Sequence, residues 1–200
     1  MVKETIVEPT DALILIDIQK DFFEGGFFPV KGADEILKPL LSVMSLFPLI
    51  VATQDWHYIE QFTHQKEGVY ETGHCIERTP GADLHPLLAN QHLDLTIRRG
   101  PKKDGESFSV FEQSELATWL LRKRCRRIFV MGFTTEYGVK ETVLDGLKRG
   151  FKVFVIEEGV KSRGSATEGA KALDEMKRAG AHLVSEEELV PEKGRVTVGE

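Results

Sequence analysis

Asp55 and His57 stand two residues apart in the segment Val51-Ala52-Thr53-Gln54-Asp55-Trp56-His57. On an extended chain that spacing turns both side chains to the same side. A carboxylate and an imidazole facing one point make a mixed oxygen and nitrogen set. Such a set suits a divalent transition metal once another histidine joins it. His64 and His74 are the candidates for that third place. Taken alone, the pattern also fits a capped turn with a surface histidine. Asp17 is a second reactive position. It ends the wholly apolar run Ala12-Leu13-Ile14-Leu15-Ile16, where a carboxylate is costly unless it is paired or used. Arg99 ends another strand-like segment and could pair with Asp17 through its planar fork. A hydrogen bond from a neighbouring loop would account for Asp17 equally well.

A third position is conspicuous for what it lacks. The run Ile128-Phe129-Val130-Met131 leads into Gly132-Phe133-Thr134-Thr135-Glu136-Tyr137-Gly138. This reads as a buried strand turning into a helix, with Thr134 or Thr135 as the cap. Such a turn aims backbone N–H groups and the positive end of a helix dipole at one point, a seat for an oxyanion. Thr134 and Gly138 are the expected oxyanion positions. A glycine at 138, early in the helix, costs about 1 kcal/mol relative to alanine, so its missing side chain needs a reason.

The elements that must hold these residues follow from periodicity. Apolar runs predict strands at Ala12–Ile16, Leu49–Thr53, Leu93–Ile97, Ile128–Met131, Phe151–Ile156 and Ala181–Val184. Helical spacing predicts helices over Ala33–Phe47, Glu115–Arg124, Glu136–Lys148 and Thr167–Ala179, with a last short turn at Ser185–Glu188. Strands alternating with helices imply an α/β, three-layer, doubly wound, Rossmann-like domain around a mainly parallel six-stranded sheet. Ligands bind such sheets beyond the carboxyl ends of the strands. Asp17, Asp55 with His57, Arg99 and Gly138 all fall there. Phe22, Trp56 and Phe133 are the expected pocket lining, and Met131 and Phe133 also read as core. The irregular stretch from Tyr58 to Pro80 is long enough to suggest a functional loop.

Composition bounds the remainder. The chain has 200 residues, 41% hydrophobic and 29% charged, with a net charge of −6. One domain over 1–190 with a loose tail over 191–200 is expected. The acidic balance gives no reason to expect nucleic acid or a membrane surface as partner. No apolar run approaches the ~18 residues of a membrane span, and Met1–Asp11 does not read as a signal peptide. Two cysteines, Cys75 and Cys125, without zinc-type spacing fit a reducing cytoplasm. The basic run Arg122–Arg127 reads as a solvated turn.

Together these segments resemble the nicotinamidase/isochorismatase-like cysteine hydrolases over nearly the whole chain. ALILIDIQKDFFEGG is similar to the family's first strand with its catalytic aspartate, here Asp17. VATQDWH and GHCIERTPGADLHP are similar to the nicotinamidase metal segments, which implies one divalent zinc, iron or manganese ion on Asp55, His57 and His74. GFTTEYGVKETVLDGLKRGF is similar to the nucleophile segment, and ALDEMKRAGAHLVS to the last helix and strand. The resemblance implies a small-molecule substrate, a homo-oligomer and a cis peptide at Phe133–Thr134. It also implies a cysteine that attacks an amide carbonyl, an aspartate that moves protons and a lysine that favours the thiolate.

Two of those three catalytic positions differ. Gly138 stands where the family has its cysteine and Arg99 where it has its lysine. Without a thiol there is no thioester route. Arginine stays charged at any working pH and is not equivalent to lysine. Paired with Asp17, it is expected to hold that carboxylate anionic. Cys75, beside His74, is the only nearby thiol and is expected to point elsewhere. Lys102 and Lys103 read as exposed loop residues. Two readings follow: a metal-binding hydrolase of amide or vinyl ether bonds without a cysteine nucleophile, or an inactive relative that binds a small ligand or a partner protein.

Overall fold

The computed structural model describes residues 4–58, 73–100, 108–112 and 114–192. Six strands form the main sheet: β2 (Ala12–Ile16), β3 (Leu49–Asp55), β4 (Leu95–Arg99), β5 (Arg127–Phe133), β6 (Lys152–Lys161) and β7 (His182–Val184). Their order is β4-β3-β2-β5-β6-β7, and every pair is parallel. The chain leaves β2 toward β3 and β4, then crosses back to lay β5 on the other side of β2. The sheet therefore changes direction between β2 and β5, where a crevice opens at the carboxyl ends.

The apolar runs are strands because both faces of the sheet are covered. Leu13, Leu15, Ala52, Phe129, Met131 and Ile156 face one core layer. Ala12, Ile14, Ile16, Val51, Val130 and Val155 face the other. The helices Leu37–Met44, Leu116–Arg122, Lys140–Lys148 and Ala166–Arg178 complete the layers. Among the described residues no helix is long and apolar enough to cross a membrane.

Several boundaries differ from the sequence reading. β4 begins at Leu95 rather than Leu93, because Asp94 accepts the Ile50 N–H at 2.8 Å and ends the pairing there. The first helix is preceded by a 3-10 turn at Ala33–Ile36. The last helix starts with an unforeseen capping box, Ser165 with Glu168. A second sheet, β1 (Thr5–Val7) paired in parallel with β8 (Leu189–Pro191), was not expected from strands of three residues. It takes Pro191 out of the expected tail; residues 193–200 lie outside the described set, as do His64, Lys102 and Lys103.

Arg127 departs from the reading of a solvated basic turn. It reaches Glu8, the Ile6 carbonyl at 2.7 Å and Asp11 at 3.1 Å, tying β1 to the main sheet. Asp11 is wholly buried and also accepts the Glu8 N–H at 2.8 Å. Burial raises its carboxyl from 3.8 to about 6, against that hydrogen bond and the Arg127 charge. The folded value lies above the unfolded one. Asp11 therefore favours the folded state most below its unfolded value, and that contribution is lost as pH rises through about 6. A displacement of that size corresponds to roughly 3 kcal/mol. The stability of the parent relative to Asp11→Asn is expected to fall by up to that amount between about pH 4 and pH 7. Denaturant melts at the two pH values test this; a constant difference would contradict it.

Candidate metal and proton-transfer site

Three adjacent strands deliver three charged residues to the crevice. Asp17 follows β2, Asp55 closes β3 and Arg99 closes β4. Asp17 adopts a left-handed backbone (φ 50°) and is 1% exposed. Its Oδ1 accepts the Thr53 hydroxyl at 2.6 Å, and its own N–H donates to Thr53 Oγ1 at 3.1 Å. Its Oδ2 accepts a hydrogen bond from Arg99 Nη2. The other arm of the same guanidinium, Nη1, lies 3.5 Å from Asp55 Oδ1. The free edge of Asp55 faces the histidines: Oδ2 is 3.1 Å from His57 Nε2 and 3.2 Å from His74 Nε2.

Backbone pairing brings His74 to that point. His57 donates its N–H to the Cys75 carbonyl at 3.0 Å, and Glu77 donates to the His57 carbonyl at 2.8 Å. Two buried polar residues that the sequence reading passed over fix this register. Asp21 accepts the Cys75 N–H at 2.6 Å and the Phe27 N–H at 3.1 Å. Gln19 accepts the Asp55 N–H at 2.7 Å and donates to the Asp55 carbonyl at 2.9 Å. Their signal was present: polar residues just past a buried strand, in Asp17-Ile18-Gln19-Lys20-Asp21, interrupt an apolar stretch. The His74 ring is then stacked by Phe28 at 4.1 Å and met edge-on by Phe22 at 5.9 Å.

Asp55, His57 and His74 thus converge, with ligand atoms all within 4.8 Å of one another. One carboxylate oxygen and two imidazole nitrogens fit a divalent transition ion. Phe22 and Phe133 stack at 5.8 Å beside this group. Trp56 turns away from it. Arg98 lies 3.9 Å from its ring, and Trp56 lines a separate cleft with Tyr58, Arg78 and Asp83.

The turn after β5 is tighter than a plain helix start. Gly132 has φ 123°, and a Cβ there would lie 2.0 Å from the Ile16 carbonyl oxygen. β5 therefore presses directly on β2 and shifts its register against β6. Phe133–Thr134 is cis. Thr134 occupies the cap position, but its side chain makes no cap hydrogen bond. Thr135–Val139 is a single π turn rather than α-helix, a form that recurs at functional sites. Gly138 lies within it. A Cβ at 138 would come 2.9 Å from the Phe133 carbonyl oxygen, 3.1 Å from Ile16 Cγ2 and 3.4 Å from Arg99 Nη2. A side chain there would require the Phe133 carbonyl to shift slightly.

The charges are unevenly shared. Burial pushes the Asp17 carboxyl above its ordinary value, and the charge of Asp55 adds to this against Arg99 and Thr53. Burial acts on Asp55 too, but Arg99, His57 and His74 outweigh it and hold that carboxyl well below the usual range. Arg99 lowers the Asp17 pKa as expected, but burial is the larger effect and the net direction is upward. The pair forms, and the guanidinium serves both carboxylates, Asp17 more strongly than Asp55. Arg99 itself is driven further toward its charged form by Asp17 and Asp55, against burial. Cys75 is fully buried, and burial pushes its thiol far above the ordinary value, so it offers no nucleophile.

The isochorismatase domain matches residues 11–188. The nicotinamidase of Escherichia coli K12 is 33% identical over 201 residues, covering 88% of this chain and 94% of the relative. The pyrazinamidase of Pyrococcus horikoshii, solved in complex with zinc, is 34% identical with a TM-score of 0.75, covering 88% of this chain and 99% of that one. PnC1 from L. infantum, solved in complex with nicotinate, is 32% identical with a TM-score of 0.82, covering 95% and 100%. The domain match spans most of the sequence and the relatives are matched nearly end to end, so the chain belongs to the isochorismatase family of hydrolases, on its nicotinamidase-like side.

Proposed function

We propose that the protein is a metal-dependent hydrolase of small molecules that works without a covalent intermediate. The observation carrying this reading is the unbroken polar chain from Asp17 through Arg99 and Asp55 to His57 and His74, facing a turn whose residue 138 is glycine. Asp55, His57 and His74 would hold one divalent ion. Zinc, iron and manganese are the candidates, and the zinc complex of the Pyrococcus horikoshii relative favours zinc. Such an ion supplies Lewis-acid polarisation when bound. Asp17 is the proton-transfer group. Its raised pKa suits either holding a proton for a leaving group or taking one from an attacking water. Arg99 does not forbid the acid role, as the sequence alone had suggested. Backbone N–H groups around Thr134 and Gly138 receive developing negative charge. Phe22 and Phe133 form the apolar wall.

The substrate class is a small molecule with a hydrolysable amide C–N or vinyl ether C–O bond. The nicotinate complex of the L. infantum relative supports a compact aromatic ring. The test is hydrolysis of a panel of aromatic amides and enol ethers by the zinc-loaded protein. At least one should be turned over, and Asp17→Asn should lose on the order of 10²–10⁴-fold in rate. Activity surviving in Asp17→Asn would remove the central role.

One observation favours a second reading, a ligand-binding protein without turnover. A side chain at Gly138 would require the Phe133 carbonyl to shift slightly, and Arg99 is committed at both ends. Saturable binding of nicotinate with no hydrolysis of any panel member would select it.

A further inference from the structure

We propose that Arg99 is a positioning residue of the metal centre. This rests on the metal reading above. Arg99 fixes the Asp55 carboxylate, whose Oδ2 must serve two imidazoles at once. An unrestrained carboxylate can rotate about its last torsion and exchange its oxygens. Here Nη1 engages Oδ1 at 3.5 Å, leaving Oδ2 turned to His57 and His74. The guanidinium is held in turn by Asp17, itself locked by Thr53 at 2.6 Å. The planar fork meets the two carboxylates with separate arms, whereas a lysine ammonium would have to reach both from one nitrogen. Groups behind a metal ligand commonly set its orientation and the affinity of the site.

Gly138 adjoins the guanidinium: a Cβ there would lie 3.4 Å from Nη2, an ordinary contact, and closer to the Phe133 carbonyl oxygen and Ile16.

The experiment is zinc affinity by chelator competition in the full chain. Arg99→Ala is expected to bind zinc about 10- to 100-fold more weakly. Its cobalt-loaded form should show an altered visible spectrum, because the Asp55 oxygen is no longer fixed. Added guanidinium ion at low millimolar concentration should restore both, a rescue that a general loss of folding would not allow. Asp17→Asn/Arg99→Met buries one carboxylate fewer, and should show the same weakening should Arg99→Ala fail to fold. If the parent and these variants bind zinc equally while His74→Ala does not bind it, the positioning role is wrong and the metal reading stands. If the parent takes up no zinc, both fall.

Discussion

Gly138→Cys alone is expected to leave nicotinamide intact, whereas Gly138→Cys with Arg99→Lys is expected to release ammonia from it. The parent should not approach an ordinary enzyme turnover of about 1 per second or more. A Cβ at 138 would sit 2.9 Å from the Phe133 carbonyl oxygen in either variant, so the turn must give slightly in both; what separates them is residue 99, 3.4 Å from that Cβ. Arginine stays charged and cannot relay a proton between a thiol and Asp17. Lysine at 99 shortens the side chain and supplies an ammonium that favours a thiolate. With Asp17 already in place, the double variant is expected to exceed the parent by on the order of 10²–10⁴-fold. Arg99→Lys alone should remain inactive, so the gain is non-additive. Ammonia release across the four proteins decides it. A silent double variant would mean that the pocket serves a different ligand.

His74→Ala is expected to abolish metal binding almost completely. His74 contributes more than a ligand atom. Its ring is the point where the Phe28 stack, the Asp21-anchored loop and the Asp55 carboxylate meet. Truncation leaves Asp55 and His57 alone, and two ligands do not close a site of this type. His92→Ala serves as control, since His92 is 83% exposed and lies outside the triad. Elemental analysis after dialysis gives the result. Full metal content in His74→Ala would show that His74 is not a ligand.

Much of this arrangement was legible in the sequence, for definable reasons. The apolar run Ala12–Ile16 could only be a strand covered on both faces, and its neighbours followed the same logic. Asp55 and His57 share a side because an extended chain alternates. The same alternation sends Trp56 to the opposite side, under Arg98. What escaped was set by distant parts of the chain. Nothing local marks Thr5–Val7 as a partner of Leu189–Pro191. The π turn at Thr135–Val139 depends on how closely Gly132 lets β5 approach Ile16. The proton balance between Asp17 and Asp55 depends on one guanidinium reaching both, which no spacing in the sequence encodes.

The reversal of the sheet between β2 and β5 divides the crevice into two wings of different origin. One wing, built by β2, β3, β4 and the segment around His74, carries Asp17 and the candidate metal triad. The other is a single turn after β5, and it alone carries residue 138. A nucleophile placed at 138 would hang from that one turn, apart from the candidate ligands of the opposite wing. A scaffold divided this way can be retooled one wing at a time, which makes it a starting point for building new hydrolytic chemistry around the candidate metal triad.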